Sequence, residues 1–415
     1  GSNVYSRALA REWSLAGHDV TVVCQEPHPE LYDTGTATVL RSDVGPYLPV
    51  FVLDRYEGIE ARRLHELDRA DADRFVAANV EALRALLPAD IVFTNHVLLG
   101  GPVGQAAVAG TRTPYAVKAH GSELEYSMRG RPELAAWGRQ SLAGASGVFV
   151  GSEHIRRVVD EVCGPLDHPE RVHEVPPGVD VDEFRPVPRP QALAALLEEC
   201  RRDAPNPGNA NERLPDEGNA ERLAAFLADH GRPTVLYFGK LIVNKGVHLL
   251  LEALHGLDAR AVIVGFGDHR EELQRQAAAL GEDVLFTGPL EHRHLRHLIP
   301  LCDVSVVPSI FPEAFGMVAA EAAAAGACPL VARHSGLAEV AAGIEEQYPP
   351  ELRHLASFPN GDAAALHARL QELLALPPAT RTALQAAARQ AVVERWSWAG
   401  IARRLLDLSA RPRFP

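Results

Sequence analysis

Two carboxylates, Glu313 and Glu321, stand eight residues apart in the segment with the strongest chemical pattern. An apolar run precedes this segment and an alanine-rich run follows it, so we expect a strand, a loop holding Glu313 and a helix holding Glu321. Backbone N–H groups at a helix start attract anions. Those of Phe315, Gly316 and Met317 are therefore predicted to bind an anion, while the carboxylates suit sugar hydroxyls. On spacing alone, two solvated glutamates explain the pattern equally well.

A pair of lysines provides the second pattern. Lys240 and Lys245 lie between Gly239, where an apolar run ends, and Gly246, where a helix is expected to begin. Two cations beside a helix start suit a diphosphate. The segment is not a P-loop, because the GxxxxGK[ST] pattern is absent. Taken alone, two surface lysines on a turn are the simpler interpretation.

These patterns lie in a chain where apolar strand-like runs alternate with helical runs, which predicts parallel sheets with helices on both faces. The predicted strands cover residues 19–24, 50–53, 91–94, 115–117, 147–150, 172–175, 234–238, 261–264, 284–287, 304–307 and 329–332. The predicted helices are a long one over 60–87, four that begin near Gly246, Asp268, Glu291 and Met317, one capped by Asp362, and a helical end over 380–409. The predicted class is α/β, with two Rossmann-like domains that face each other across a ligand cleft.

The domain boundaries follow from this alternation. We predict an N-terminal domain over 1–180, a linker with a polar insertion over 181–231, a second domain over 232–395, and a terminal helix over 396–415 that returns to the first domain. The chain opens with a helical pattern where such a domain would open with a strand, so the first strand is expected to be missing. A chain extended by about 15 N-terminal residues should then be more stable and more active. Equal melting temperature and turnover would refute this.

Composition narrows the function classes. The 415-residue chain is 47% hydrophobic and 23% charged, which is typical of globular proteins, and its net charge is −13. An acidic chain binds nucleic acid and anionic membranes poorly, so an anionic ligand needs a local cluster of donors. No run approaches the roughly 20 apolar residues of a membrane span. Five scattered cysteines without a CxxC motif indicate reduced thiols in a cytoplasmic protein.

Read in order, the motifs resemble those of the family 4 glycosyltransferases, retaining enzymes of the GT-B fold in the glycogen-synthase-like class. The resemblance covers nearly the whole chain, and the ordered set with its two glutamates is highly specific. The resembling segments are residues 1–5, 17–22, 90–96, 118–121, 152, 177–180, 239–246, 264–267, 286–288, 313–321, 336–340 and 396–398.

The resemblance implies donor binding by the second domain. Lys240 and Lys245 would hold the diphosphate of a UDP- or GDP-sugar. Glu321 would bind the ribose hydroxyls, and Glu313 those of the transferred sugar. Further donor contacts are expected at Gly1, Gly239, Gly265, Gly288, Phe315, Gly316 and Met317.

The resemblance also implies how the reaction proceeds. Catalytic roles fall to His120, Glu313, Lys240 and Lys245, with retention by front-face attack and with the departing phosphate taking the acceptor proton. Fixed cations and amides stabilise the charge that develops on that phosphate. Neither a cofactor nor a metal ion is expected.

The acceptor side is implied to lie on the first domain. His96, Ser2 and Asn3 are expected to face the acceptor, which is an unidentified glycan, lipid or small molecule. At most a peripheral membrane contact is expected, and no nucleic acid.

Two positions depart from the family pattern. Lys240 stands where the family usually has arginine, which keeps the charge but loses the bidentate fork. Pro177 stands where the family usually has asparagine. Three alternatives stay open, two because those enzymes share the two-domain architecture and the third because of Lys240 and the missing strand. They are a nucleotide-sugar epimerase, a glycan phosphorylase with a lysine-bound pyridoxal group, and a degenerate nucleotide-sugar-binding protein.

Other polar clusters are interpreted as structural. His292, His294 and His297 are expected on a solvated helix face, because only Glu291 is available to complete a metal set. The Asp180-Val-Asp182 sequence lies in a turn, where a metal role is not expected. The basic pairs 62–63 and 403–404 are expected to be solvated. Trp396 and Trp398 are expected to anchor the terminal helix.

Overall fold

A computed structural model describes residues 2–52, 58–204, 214–228 and 231–409. The chain divides into two compact units. Unit 1 comprises Gly1–Gly178 together with Trp398–Pro415, and unit 2 comprises Val179–Ser397. Each unit has its own parallel sheet with helices packed against it, so the predicted α/β class with two Rossmann-like domains is confirmed.

Unit 1 begins with a helix and continues with parallel strands. Its strands are β1 (Thr21–Val23), β2 (Thr38–Leu40), β3 (Tyr47–Val50), β4 (Glu60–Arg63), β5 (Val92–Asn95), β6 (Tyr115–Lys118), β7 (Gly147–Val150) and β8 (Val172–Glu174). Its helices are α1 (Ser2–Leu15), α2 (Arg69–Arg84), α3 (Gly101–Val108), α4 (Pro132–Ala143), α5 (Glu153–Cys163) and, from the chain end, α15 (Trp398–Ser409). Among the described residues, β1 pairs with β2, β3 pairs with β4, and β5 to β8 form one sheet in sequence order.

Unit 2 contains a six-stranded parallel sheet in the order β11-β10-β9-β12-β13-β14. The strands are β9 (Thr234–Phe238), β10 (Arg260–Val264), β11 (Val284–Phe286), β12 (Val304–Val307), β13 (Cys328–Arg333) and β14 (Ser357–Pro359). The helices are α6 (Arg189–Arg201), α7 (Asn219–Phe226), α8 (Val247–Ala253), α9 (Arg270–Ala277), α10 (His292–Leu298), α11 (Met317–Ala325), α12 (Ser335–Glu345), α13 (Ala363–Ala375) and α14 (Pro378–Arg395). This is the doubly wound order of a dinucleotide-binding domain.

Local sequence explains where several elements begin. Ser152 accepts the N–H of Ile155 and caps α5, and Asp362 accepts the N–H of Ala365 and caps α13, as its sequence predicts. The alanine-rich α11 is buried from Ala319 onward, because small side chains allow it to pack closely on every side.

Two predicted elements of unit 1 differ from the structure. Residues 60–63, expected at the start of a long helix, form strand β4, and α2 starts only at Arg69. The guanidinium of Arg62 stacks over Tyr47 at 3.6 Å on the paired strand, which favours the extended form. The strand predicted over 50–53 lies earlier, at Tyr47–Val50, and Leu53 is outside the described residues.

The segment predicted as a linker with an insertion instead contributes two helices to unit 2. Leu196 of α6 and Leu223 of α7 are fully buried in the core of that unit. Their apolar spacing was obscured by the surrounding proline-rich and polar residues. Within residues 181–231 the structure leaves 205–213 and 229–230 undescribed.

The chain end returns to unit 1. Trp396 is buried in unit 2, and the helical end breaks after it, so that α14 and α15 belong to different units. Trp398 packs against Tyr5 of α1 with ring centroids 5.5 Å apart.

Among the described helices, none combines the length and the apolar character that a membrane span requires. All five cysteines are free, and only Cys24 is partly exposed.

Candidate active site

The sheet of unit 2 places its two sequence patterns beside one another. The strand order reverses between β9 and β12, and the loops at such a reversal diverge to leave a ligand crevice. Lys240 and Lys245 follow β9, while Glu313 follows β12. The lysines and the glutamate therefore come from the two loops that border this reversal.

Lys245 and Glu313 form an ion pair between Nζ and Oε1. Their side chains are 31% and 25% exposed, so the pair is open to an incoming ligand. The hydroxyl of Ser309 donates to the same Glu313 oxygen at 2.7 Å. Lys240 is exposed, and its carbonyl accepts the Tyr237 hydroxyl at 2.8 Å. A carboxylate fixed by a cation and a hydroxyl is thus available to hydroxyl-rich ligands.

The loops after β9, β10 and β11 are joined by backbone hydrogen bonds at their glycines. Gly239 N–H donates to Val264 O at 3.0 Å, and Gly265 N–H donates to Gly288 O at 2.9 Å. A Cβ atom on Gly265 would lie 1.8 Å from the Gly239 carbonyl, so only glycine allows this approach. The structure therefore brings Gly239, Gly265 and Gly288 into one edge of unit 2, as the motif order suggests.

The start of α11 presents the predicted anion-binding amides. Gly316 precedes the helix, and Met317 is its first residue. Phe315 is buried against Trp396, with ring centroids 5.4 Å apart, so the loop before α11 is anchored in the core of unit 2.

Glu321 is a buried carboxylate on α11, with 6% exposure. Burial, and then the nearby carboxylate of Glu183, raise the pKa of Glu321 to about 8. His292 Nε2 lies 3.7 Å from its Oε1. A carboxyl in this environment gains from a neutral hydrogen-bonding ligand such as a hydroxyl pair.

In unit 1, the segments that contain His96 and His120 are linked by hydrogen bonds to one buried carboxylate. Glu123 is fully buried. Its Oε1 accepts the N–H of His120 at 2.9 Å and that of Val97 at 3.2 Å, and its Oε2 lies 3.1 Å from His96 Nδ1. The His96 and His120 rings have centroids 4.6 Å apart. These contacts fix both histidines on adjacent strand ends.

The environment lowers the pKa of two basic side chains in this cluster, His120 and Lys118. Burial, then the neighbouring His96 and Lys118, hold the pKa of His120 well below its usual value. His120 Nε2 lies 2.8 Å from Asn95 Oδ1, and Asn95 in turn donates to Ser6. Burial also lowers the pKa of Lys118 to about 7, although Glu123 opposes the shift. A neutral His120 can orient a hydroxyl without carrying a charge.

The N-terminal residues are described only in part. Gly1 lies outside the described residues. Ser2 is the first residue of α1, and Asn3 is exposed in its first turn.

The histidine cluster on α10 is not the solvated face that was predicted. His294 is fully buried. Its Nε2 lies 3.0 Å from Asp203 Oδ1, and its Nδ1 accepts the N–H of Glu291 at 3.2 Å. Cys200 stands close enough to complete a metal-like group in the described part of the chain. Both ring nitrogens already have partners, however, so we interpret the group as a structural link between α6 and α10.

Asp180 accepts the N–H groups of residues 182 and 183 and acts as a turn cap.

Sequence reasoning missed the residues that hold the site together. Glu123, Ser309 and Ser335 act through contacts that no local pattern marks. One compositional signal was available for Lys118. The chain has only three lysines among its 41 basic residues, and all three lie in the motif segments.

The chain is similar to known glycosyltransferases along most of its length. Residues 1–183 match the family described as Glycosyltransferase Family 4, and residues 220–391 match the family described as Glycosyl transferases group 1. A curated relative, D-inositol 3-phosphate glycosyltransferase of Xylanimonas cellulosilytica, is 28% identical over 362 residues, which cover 82% of this chain and 77% of the relative.

Solved structures share the fold. Sucrose-phosphate synthase of Thermosynechococcus elongatus has a TM-score of 0.64 at 22% identity, covering 98% of this chain and 92% of its own. HepE of Anabaena, in complex with UDP and glucose, has a TM-score of 0.67 at 18% identity, covering 99% and 96%. At these identities the likeness shows the fold alone.

Proposed function

We propose that this chain, which belongs to the family 4 glycosyltransferases, transfers a sugar from a nucleoside diphosphate to an acceptor with retention and without a metal ion. The ion pair of Lys245 and Glu313 carries the proposal. A cation and a carboxylate on the two loops beside the strand-order reversal match the two ends of a sugar diphosphate.

In the proposed reaction, the bond between the anomeric carbon and the diphosphate oxygen breaks, and its electron pair stays on the phosphate. Lys240, Lys245 and the N–H groups at the start of α11 stabilise that charge. The acceptor oxygen bonds to the same face of the anomeric carbon, and its proton passes to the departing phosphate. Glu313 holds hydroxyls of the transferred sugar, and Glu321 holds those of the ribose.

In this proposal, residues of unit 1 bind the acceptor and contact the transferred sugar. His120 is neutral and its Nε2 donates to the Asn95 oxygen, so its Nδ1 is suited to accept a hydrogen bond from a sugar hydroxyl. His96, Ser2 and Asn3 face the acceptor, and Gly1 joins the donor contacts. Because the relative named above acts on D-inositol 3-phosphate, this compound is the first acceptor to test.

The test is a panel of UDP- and GDP-sugars, assayed in buffer with EDTA for nucleotide release and product formation. The proposal expects transfer to persist in EDTA, and the anomeric coupling in the product's NMR spectrum to show the donor configuration. Turnover without an acceptor would favour the epimerase, and pyridoxal absorbance would favour the phosphorylase.

Two variants test the site assignment. Lys245→Ala and Glu313→Ala should each reduce turnover by about 10²–10³-fold, because each removes a preorganised charge. The exposed ion pair of Glu272 and Arg275 on unit 2 is the matched control, and alanine at either position should leave turnover unchanged. Full transfer by both site variants contradicts the assignment.

A further inference from the structure

The first turn of α12, directly after β13, holds both the backbone N–H and the backbone carbonyl of Glu313. Ser335 Oγ accepts the Glu313 N–H at 2.9 Å, and Gly336 N–H donates to the Glu313 carbonyl at 3.0 Å. A Cβ on Gly336 would lie 2.6 Å from the Ala314 oxygen, so the two segments are in direct contact. The backbone of Glu313 therefore depends on this turn.

Ser335 adopts a backbone conformation that disfavours its own side chain. Its φ is +47°, and among the described residues only His96 shares a positive φ without being glycine. A non-glycine residue in this region costs roughly 1–2 kcal/mol. Glycine would remove that cost but would also remove the hydroxyl that accepts the Glu313 N–H.

His334 completes the connection to the Glu313 side chain. Its Nε2 lies 2.6 Å from the Ser309 carbonyl, which can only accept, so Nε2 carries the proton. Its Nδ1 then accepts from the Ser335 hydroxyl at 3.1 Å. Ser309 itself donates to the Glu313 carboxylate at 2.7 Å. Backbone and carboxylate of Glu313 are thus held by one closed set of hydrogen bonds.

We propose that Ser335 is a positioning residue for Glu313, and that its strained backbone is retained because a side-chain oxygen is required at that point. The inference rests on the proposed function, in which Glu313 holds the transferred sugar. Ser335 itself contacts no substrate. It acts by fixing the rotation of the Glu313 peptide and hence the place of the carboxylate.

Three substitutions at this position separate strain from hydrogen bonding. Ser335→Gly removes both the strain and the acceptor. Ser335→Ala keeps the strain and removes the acceptor. Ser335→Asn tolerates the left-handed region and supplies an oxygen acceptor.

Turnover and stability should respond differently. We expect Ser335→Gly to lower kcat about 10-fold or more, since small misplacements of a positioned group are costly, while the KM for the nucleotide sugar changes less than about 3-fold. Its Tm should stay near that of the parent protein, because relief of strain offsets the larger entropy of the unfolded glycine chain. Ser335→Ala should lose both kcat and Tm, and Ser335→Asn should recover most of the kcat.

A measurement without turnover keeps the inference testable. Hydrogen exchange of the Glu313 amide should become about 10-fold faster in Ser335→Gly and return toward the parent rate in Ser335→Asn. Unchanged exchange and unchanged kcat in Ser335→Gly overturn the inference. If Glu313→Ala itself keeps full activity, the proposed function fails instead, whatever the Ser335 variants do.

Discussion

The buried carboxylate of Glu123 allows the sharpest test of unit 1. It accepts two backbone N–H groups, from Val97 and His120, and pairs with His96 Nδ1. Alanine would leave these three donors without their partner. An unsatisfied buried donor costs about 1–3 kcal/mol, and partial entry of water reduces the sum, so we expect Glu123→Ala to lower the free energy of unfolding by about 4 kcal/mol. For a unit of this size that corresponds to a fall in Tm of roughly 8–16 °C.

Glutamine distinguishes the charge of Glu123 from its shape. Glu123→Gln keeps an oxygen for the two N–H groups but presents an NH₂ group to His96, which must then accept through Nδ1. We expect a loss of about 1–2 kcal/mol at pH 7 and a change of the His96 tautomer, which ¹⁵N NMR of the ring detects.

The pH dependence of this loss has a defined sign. Burial alone would raise the pKa of Glu123, but His96 and the donors around the carboxylate lower it overall. The carboxylate therefore stabilises the fold above its ordinary pKa of about 4.3, and this contribution disappears as the pH falls through the lowered value. The difference between the parent and Glu123→Gln should shrink at low pH.

Denaturant unfolding between pH 7 and pH 3.5 measures both effects. Glu125, two residues further on, is the control, because its carboxylate pairs at the surface with Arg129. Glu125→Gln should cost less than about 1 kcal/mol. A Glu123→Ala protein within 1 kcal/mol of the parent would refute the reasoning.

Two further predictions concern unit 2. The raised pKa of Glu321 means that its protonated form is favoured by folding, so stability should fall by about 3 kcal/mol between pH 5 and pH 8, and Glu321→Gln should lack this loss in urea unfolding. Gly246→Ala should cost about 3 kcal/mol or more, because its Cβ would lie 1.9 Å from the Pro308 oxygen, whereas Gly361→Ala, with a similar φ and no neighbour within 4 Å, should cost about 1 kcal/mol. Equal costs in thermal melts contradict the second argument.

Much of unit 2 could be predicted from the sequence because its strands are buried on both faces. The runs at Thr234–Phe238 and Val304–Val307 are apolar or small throughout and are bounded by turn residues, so their ends match the structure. Strand β4 could not be recognised in this way. Its charged residues Glu60, Arg62 and Arg63 fit a helix surface equally well, and the contacts that favour a strand come from its pairing with β3 and the stacking of Arg62 on Tyr47.

Some residues of the candidate site could likewise be predicted from local sequence, and others could not. Lys245 and Glu313 were found because a cation after one strand and a carboxylate after another are local patterns. Glu123 was not found, because no local pattern separates it from Glu125 two residues further on, and only the fold decides which one is buried. Ser335 was missed since its role depends on a partner 22 residues away.

Under the proposed function, the pairing of Lys245 with Glu313 bears on which nucleotides bind to this site. In the structure, each charge neutralises the other. A nucleoside diphosphate without a sugar would attract the Lys245 ammonium group and leave the Glu313 carboxylate without a partner. A nucleotide sugar also offers hydroxyls, which can donate to the carboxylate in place of the ammonium group. This one ion pair would then favour binding of the nucleotide sugar over binding of the free nucleoside diphosphate. Once the sugar has been transferred, the remaining nucleotide would bind more weakly and leave the site.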